Sequence, residues 1–403
     1  MSAGDNEPGF RFGSLAAPVL LPTIVFSTGE GALIPVIPLV ASALGADLAT
    51  AALVTAMLLV GHLTGDLPSG WLVARTGERL AMILAAIMSV AGAMLAFLAG
   101  TPLLLGIGVF MIGMSTAIFS LARHAFMTTF VPYHYRARAL STLGGTFRLG
   151  MLVGPFIAAA VISVAGSAGP VILVHALGSV LAALLLLLLR DPERIFAARV
   201  ATQQPPGLFR TLHRKRGVLV RLGTGAAIVS ALRASRQVVL PLWAVSIGMP
   251  DATTALVIGI GAALDFGLFY ASGQVMDRWG RLASALPAML GLGLAHITLA
   301  LTHDLPSAEA WFIVLTMVLG VANGIGSGIL MTLGADLADR ANPAAFLSAW
   351  RFTGDLGGAA SPLLISALTA ALSLPIAVGT MGVLGVLGAG LLLRYVPRYT
   401  APD

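Results

Sequence analysis

Long apolar runs separated by short polar breaks dominate the chain. They predict twelve helices, at about residues 15–41, 50–73, 80–100, 102–130, 139–164, 168–189, 217–247, 252–275, 282–302, 308–334, 345–372 and 374–393. Each run approaches or exceeds the ~20 apolar residues that a bilayer-crossing helix needs. None shows the alternation of a barrel strand, and backbone in lipid must satisfy its own hydrogen bonds, so the runs predict helices. The first run follows Asp5, Glu7 and Arg11 and is too long for the core of a cleavable signal, so it reads as the first span.

The two halves of the pattern repeat. At an offset of 203 residues, Pro38 and Leu39 match Pro241 and Leu242, and Gly45 matches Gly248. At the same offset Gly70, Arg75 and Gly77 match Gly273, Arg278 and Gly280. The offset drifts to 204 at Met127 and Met331, then to 207 at Pro155 and Pro362, implying a short insertion after Arg340. Six spans repeated in parallel suit a transporter with a substrate cavity between two bundles. The expected fold is therefore an all-α membrane protein, with twelve transmembrane helices in two pseudo-symmetric six-helix bundles. Residues 1–190 form the first bundle, 191–216 a cytoplasmic linker and 217–403 the second bundle.

Composition sharpens this. Of 403 residues, 58% are hydrophobic and 10% charged, against about 25% charged in an average soluble domain. That excludes an ordinary soluble enzyme, a nucleic-acid binder and a disordered chain. With no cysteine, disulfides, thiolate metal sites and a cysteine nucleophile are excluded too.

The net charge of +6 reads as topology, because the basic residues concentrate in alternate loops. One set of loops holds Arg75, Arg79, Arg136, Arg138, Arg278, Arg281, Arg340, Arg394 and the basic 190–221 segment; the opposite set holds Asp47, Asp251, Asp304 and Glu309. The positive-inside rule then predicts a multi-pass protein of the cell inner (plasma) membrane with both termini cytoplasmic. All five tryptophans (Trp71, Trp243, Trp279, Trp311 and Trp350) fall near predicted span ends, which suggests interfacial anchors. The linker, with Phe196, Leu208 and Phe209 among basic residues, suits a segment lying on anionic lipid or meeting a partner.

Two loops carry a specific signal. Residues 273–281, GQVMDRWGR, read Gly-x-x-x-Asp-Arg-x-Gly-Arg through Gly273, Asp277, Arg278, Gly280 and Arg281. Residues 70–79, GWLVARTGER, keep Gly70, Arg75, Gly77 and Arg79 but have Ala74 in place of the aspartate and Glu78 in place of the arginine. On these residues the chain resembles the major facilitator superfamily along essentially its whole length. Gly150, Gly154 and Pro155 in span five are similar to the glycine-proline motif of the drug–proton antiporters in that superfamily. Glycines four apart also let helices approach closely, so ordinary packing explains the same residues. The antiporters' Arg-x-x-Gln-Gly of span four is missing: aligned on Gly113, its polar positions are Val109 and Ile112. The resemblance implies gating by the loop-motif residues and by the span-five motif. It further implies that Asp277 caps the start of span five near Ser141, an anchor that Ala74 lacks in the first half.

Several charged residues fall well inside predicted spans, although each costs about 2.5–3.5 kcal/mol at the bilayer centre. The acids are Glu30, Asp66, Asp265 and Asp355; the bases are Arg123, Arg148, Arg233, Arg236 and Arg351. By the repeat, Glu30 is opposite Arg233, His62 opposite Asp265 and Arg148 opposite Asp355, so these pairs would either meet across the bundle interface or be neutralised by a proton or by substrate. The acids are candidate proton-coupling groups. Glu30, His62, Arg123, Arg148, Arg233, Arg236, Asn323 and Arg351 are candidate substrate contacts. Plainer readings stand beside these. Arg351 and Asp355 are four apart and would pair locally; Arg123 would snorkel; Asp66 would be a structural lock. His62, His124 and His175 would be satisfied packing residues, and Asn323 would cap a break in the NGIGSG stretch of span ten.

The chain has no Gly-x-Ser-x-Gly, Walker loop or His-Glu-x-x-His, so no enzyme or ATP-driven pump is expected, nor any cofactor or metal. The reading that results is a monomeric proton-coupled secondary transporter, exporting amphipathic or drug-like molecules by alternating access, with small-molecule substrate, protons and membrane lipids as partners and no nucleic acid. Glu30 would be the proton carrier, loading and releasing as an arginine partner comes and goes between states. A transporter or exchanger of an anionic solute, held by the membrane arginines, is the alternative. A receptor or scaffold that moves nothing is the rival from another class.

Overall fold

The computed structural model describes residues 19–131, 133–188, 216–338 and 343–399. Within them the chain is all-α, with no strands. Ten predicted spans are single helices: Leu48–Thr76, Glu78–Phe97, Pro102–Phe130, Tyr133–Ala165, Val171–Leu188, Arg216–Ser246, Asp251–Trp279, Arg281–Leu301, Pro343–Ala371 and Leu374–Tyr399. Among the described residues, eleven spans are long and apolar enough to cross a membrane. Span eleven, Pro343–Ala371, which carries Arg351 and Asp355, is not one of the eleven. It packs on span seven as span five packs on span one, which makes it the twelfth. The linker with Phe196, Leu208 and Phe209 lies outside the described residues, as do Arg340 and the side chains of Arg136, Arg138 and Ser141.

Spans one and ten are broken. Span one runs as Leu21–Leu33, a 3₁₀ turn Ile34–Val36 and then Ile37–Ala43. Pro35 and Pro38 each lack the backbone N–H that a continuous helix uses there. Span ten runs as Ala308–Ile325, stops, and resumes as Ile329–Leu337 after Gly328, whose φ of +81° suits glycine. The freed carbonyls are captured from neighbouring helices. Ser272 Oγ lies 2.6 Å from both Ile325 O and Ser327 O, and Ser284 donates to Ile325 O as well.

The repeat is built into the backbone. Gly77 and Gly280 end spans two and eight with φ/ψ of 81°/165° and 82°/167°, and Gly45 and Gly248 both have positive φ at the ends of spans one and seven. Small residues bring spans five and one together. A Cβ on Gly31 would lie 2.8 Å from Met151 Cα, and one on Gly150 would lie 2.8 Å from Thr28 N. Gly357 meets Ala227 in the same way between spans eleven and seven. The span-five glycines thus have a packing role whatever else they do.

Spans one to six pack among themselves, as do spans seven to twelve. The halves meet where span two lies along span eleven and span five along span eight. On the side of the acidic loops, Ser366 Oγ donates to Ala49 O at 2.9 Å, and a Cβ on Gly259 would lie 3.2 Å from the Phe156 ring. On the side of the basic loops, the positions a Cβ would take at Gly70, Gly144 and Gly273 have no non-local heavy atom within 4 Å. The two cross-half contacts, Ser366 to Ala49 and Gly259 to Phe156, both lie at the acidic end.

Three tryptophans sit as interfacial anchors do, with Trp71, Trp279 and Trp311 exposed. Trp243 and Trp350 correct that expectation, being 1% and 4% exposed. Trp350 Nε1 donates to Leu330 O at 2.8 Å, beside the break in span ten, and Trp243 stands edge-on to His303 at 4.8 Å. A buried indole N–H needs such an acceptor, and a carbonyl in the second segment of span ten supplies one.

Candidate functional site

Helices from both halves enclose a central cavity of about 570 Å³, within the range of small-molecule sites. It lies at mid-height of spans two, five, seven, eight and eleven. Six charged side chains line it: Asp66, Arg148, Arg233, Arg236, Asp265 and Asp355. His62 and Asn323 line it as well, and Pro155 lies in its wall.

One wall is basic. Arg236 makes an ion pair with Asp265 at 3.2 Å and donates a further hydrogen bond to Leu319 O at 3.1 Å. Arg233 Nε donates to Asn323 Oδ1 at 2.9 Å, and Asn323 Nδ2 donates to Asp265 Oδ2 at 2.6 Å. Asn323 therefore bridges a base and an acid one helical turn before the break in span ten, rather than capping it. Arg148 reaches over from span five, donates to Ser327 Oγ at 3.1 Å and stacks on Phe269 with 4.2 Å to the ring centre. Asp265 is the one described acid acting on this group. Three arginines share a single carboxylate. Neither Arg148 nor Arg233 has a described carboxylate within ion-pair distance.

The other wall is acidic. Asp66 on span two and Asp355 on span eleven lie within each other's field, with Arg351 and His62 beside them. Arg351 and Asp355 pair along their own helix at 3.6 Å, and their side chains are 59% and 42% exposed. Arg351 is thus a neighbour of the cavity and not part of its lining.

Glu30 is set apart. Gly31 lines the cavity and Glu30 does not, since one residue turns a helix by about 100°. Glu30 is buried inside the first half, and the charge acting on it is Arg123 of span four. Glu30 Oε2 and Arg123 Nε are both buried without a hydrogen-bond partner. Arg123 does not snorkel; its guanidinium lies over the Phe147 ring at 4.9 Å.

None of the three repeat-related pairs meets. Glu30 answers Arg123 instead of Arg233, His62 lies beside Asp355 instead of Asp265, and Arg148 reaches Ser327 instead of Asp355. The equivalent positions Arg148 and Asp355, and His62 and Asp265, lie on opposite walls, while Glu30 answers a base inside its own half. His124 and His175 bond within the first half, although His175 Nδ1 is buried without a partner. His124 Nδ1 lies 2.7 Å from Ser120 O, and His175 Nε2 lies 2.7 Å from Ser89 Oγ.

The loop motifs serve the helix ends. Arg79 Nε donates to Leu186 O at 2.7 Å, at the end of span six. Arg281 makes a two-point contact with Asp336 at the end of span ten, at 2.8 and 3.2 Å. Arg75 and Arg278 lie over Trp71 and Trp279, at 5.3 and 5.2 Å from the ring centres. Asp277 is exposed, and its expected cap near Ser141 involves a side chain outside the described ones. Sequence reasoning missed Ser327 and Ser272. The signal for Ser327 was the NGIGSG stretch, which marks a break but does not say that Ser272 of span eight supplies the partner.

The model of the Major Facilitator Superfamily matches residues 19–362. The chain belongs to this superfamily. It is a multi-pass membrane transporter, not an enzyme. No curated protein matches its sequence. Among solved structures, it is similar to a POT family transporter in complex with a thioalcohol-conjugated peptide, at a TM-score of 0.76 and 14% identity over 95% of this chain and 96% of that one. A POT family transporter in complex with 5-aminolevulinic acid aligns at 0.76 and 14% identity over 98% of both chains. A D-xylose–proton symporter aligns at 0.71 and 15% identity over 95% and 98%. These likenesses are of fold. They leave the drug–proton antiporter branch unsupported.

Proposed function

We propose that this chain is a proton-coupled secondary transporter of a small solute that carries an anionic group. The observation that carries this reading is the pair Arg148 and Arg233. They come from opposite halves, repel each other on the basic wall, and among the described residues are answered by Ser327, Phe269, Asn323 and a carboxylate already paired with Arg236. An unanswered intramembrane charge is costly, and an anion bound between the two would offset that cost. A carboxylate, sulfonate or phosphate matches the fork geometry of a guanidinium. Drug-like cations, the other substrate class considered, would meet this wall unfavourably.

Because the two arginines belong to different halves, an anion between them would be gripped by both and passed on as the halves rock. Glu30 is the proposed proton carrier, insulated from substrate within the first half and poised against Arg123. Asp66 and Asp355 are further candidates on the acidic wall.

The test uses the full chain purified in detergent, with thermal stability measured against organic carboxylates, sulfonates, phosphates, amines and neutral amphiphiles. Stabilisation by anions that disappears in Arg233→Ala supports the proposal. Stabilisation by cationic amphiphiles alone overturns it. Counterflow in proteoliposomes then separates a transporter from a receptor that moves nothing.

A further inference from the structure

The cavity carries two like-charged pairs, each split between the halves of the molecule. On the basic wall the pair is Arg148 from span five and Arg233 from span seven. On the acidic wall it is Asp66 from span two and Asp355 from span eleven. Asp265 and Arg236 cancel each other on the basic wall, and Arg351, with His62 beside it, offsets one of the two carboxylates on the acidic wall. A surplus of positive charge therefore faces a surplus of negative charge across a space of about 570 Å³.

We infer that the substrate is a dipolar ion: a small amphoteric solute whose anionic group lies between Arg148 and Arg233 and whose cationic group lies between Asp66 and Asp355. The inference rests on the anion reading above and adds the second pole. A plain anion would relieve the repulsion on the basic wall and leave the acidic wall as it is, its charge then facing the solute's own. A plain cation does the reverse. Only a solute with both charges lowers the electrostatic cost of both walls at once. Each of its ends would also bind one residue from each half, so a single solute would tie the halves together at two places. The modest volume requires both charges to sit on a compact skeleton, such as an amino acid, a betaine or an aminosulfonate, and excludes a long chain between them.

The experiment compares matched triads on the full chain in detergent. Each triad holds a zwitterion, its carboxylate-only analogue and its ammonium-only analogue, for instance an amino acid with the acid lacking its amine and the amine lacking its carboxylate. The triads span α-, β- and γ-amino acids, betaines and aminosulfonates, and affinity is read by calorimetry on any compound that raises the melting temperature. The expected result is binding of the zwitterion in at least one triad, at least roughly tenfold tighter than either analogue. Asp66→Asn and Arg233→Ala should each erase that advantage, in opposite senses: the first should bring zwitterion and acid level, the second zwitterion and amine. Melting in the absence of ligand confirms that both variants fold. Asp355→Asn replaces Asp66→Asn if the latter does not fold. Acids binding as well as their zwitterions would overturn the dipolar inference and leave the anion reading standing. Amines alone binding would overturn both. No binding by any triad member would also overturn the dipolar inference.

Discussion

Arg148 and Arg233 line one wall of the same cavity from opposite halves of the chain, and neither has a described carboxylate within ion-pair distance. Arg236, three residues after Arg233 and nearly on the same helical face, is paired with Asp265. The three arginines are therefore not interchangeable. Arg233→Ala should weaken anion binding by about 2–5 kcal/mol, the usual cost of removing one partner of a buried charge pair. Arg233→Lys should not restore it fully, because a point charge cannot keep the bond to Asn323 and grip an anion with a fork. Arg236→Ala should instead destabilise the fold, since it strands Asp265. Calorimetry at fixed pH, with melting temperatures for all three variants, checks the division; equal affinity losses with unchanged melting would contradict it.

Glu30 sits in the first half against Arg123, one residue from the cavity wall but turned away from it. Glu30→Gln should therefore abolish transport driven by a pH gradient while leaving substrate binding and counterflow intact. Arg123→Ala should impair the same step and also lower stability, by stranding an uncompensated buried carboxylate. The checks are uptake into proteoliposomes with and without an imposed pH gradient, and counterflow at equal pH on both sides. Gradient-driven uptake by the Gln variant at the normal rate would remove Glu30 from coupling.

Much of this fold is legible in the sequence because lipid leaves few choices. A run of twenty apolar residues must be a helix, and the loop charges sort the ends. The repeat is legible too, since Gly77 and Gly280 fill positions of φ near +80° that other residues adopt only with strain. The cavity is less legible. Sequence counting places four acids against five arginines but does not say which face of a helix each occupies. Glu30 and Gly31 are neighbours in sequence, yet only Gly31 reaches the cavity. The repeat also misleads, because it pairs positions by equivalence whereas contact is decided by walls. Trp243 and Trp350 lie near span ends, as anchors do, but each is buried against its own half. Nothing in the spacing distinguishes the two cases.

Gly154 tests the packing reading of the span-five motif. A Cβ there would overlap backbone atoms of Gly31 and Ala32 on span one, and backbone cannot move aside as a side chain can. Gly154→Ala should cost about 1–3 kcal/mol through overpacking, and Gly154→Leu should prevent folding. Gly144, with no non-local heavy atom within 4 Å of its Cβ position, should accept alanine without loss. Thermal unfolding of the two alanine variants in detergent makes the comparison. Equal stability would mean that spans one and five are not held as closely as described.

Ser327 joins the halves at the break in span ten. Its hydroxyl accepts from Arg148 Nη1 at 3.1 Å, while its carbonyl is held by Ser272. The first contact crosses between the halves and belongs to the conformation in which they meet at the acidic end. The second stays within one half and belongs to the break itself. Removing them should therefore have different effects. Ser327→Ala deletes the cross-half bond together with the longer bond its hydroxyl donates to Asn323 O at 3.4 Å. Side-chain hydrogen bonds within membranes are worth on average about 0.6 kcal/mol and up to about 1.7, so the balance between conformations should shift by roughly threefold to twentyfold. Ser272→Ala leaves carbonyls of the break unsatisfied within one half, which should lower stability without moving that balance. Spin labels on exposed positions at the basic ends of spans two and eleven report the balance as distance distributions, and thermal unfolding reports the stability. If Ser327→Ala leaves the distances unchanged while Ser272→Ala shifts them, the cross-half bond does not set the conformation, and the hinge acts through the packing of its own half.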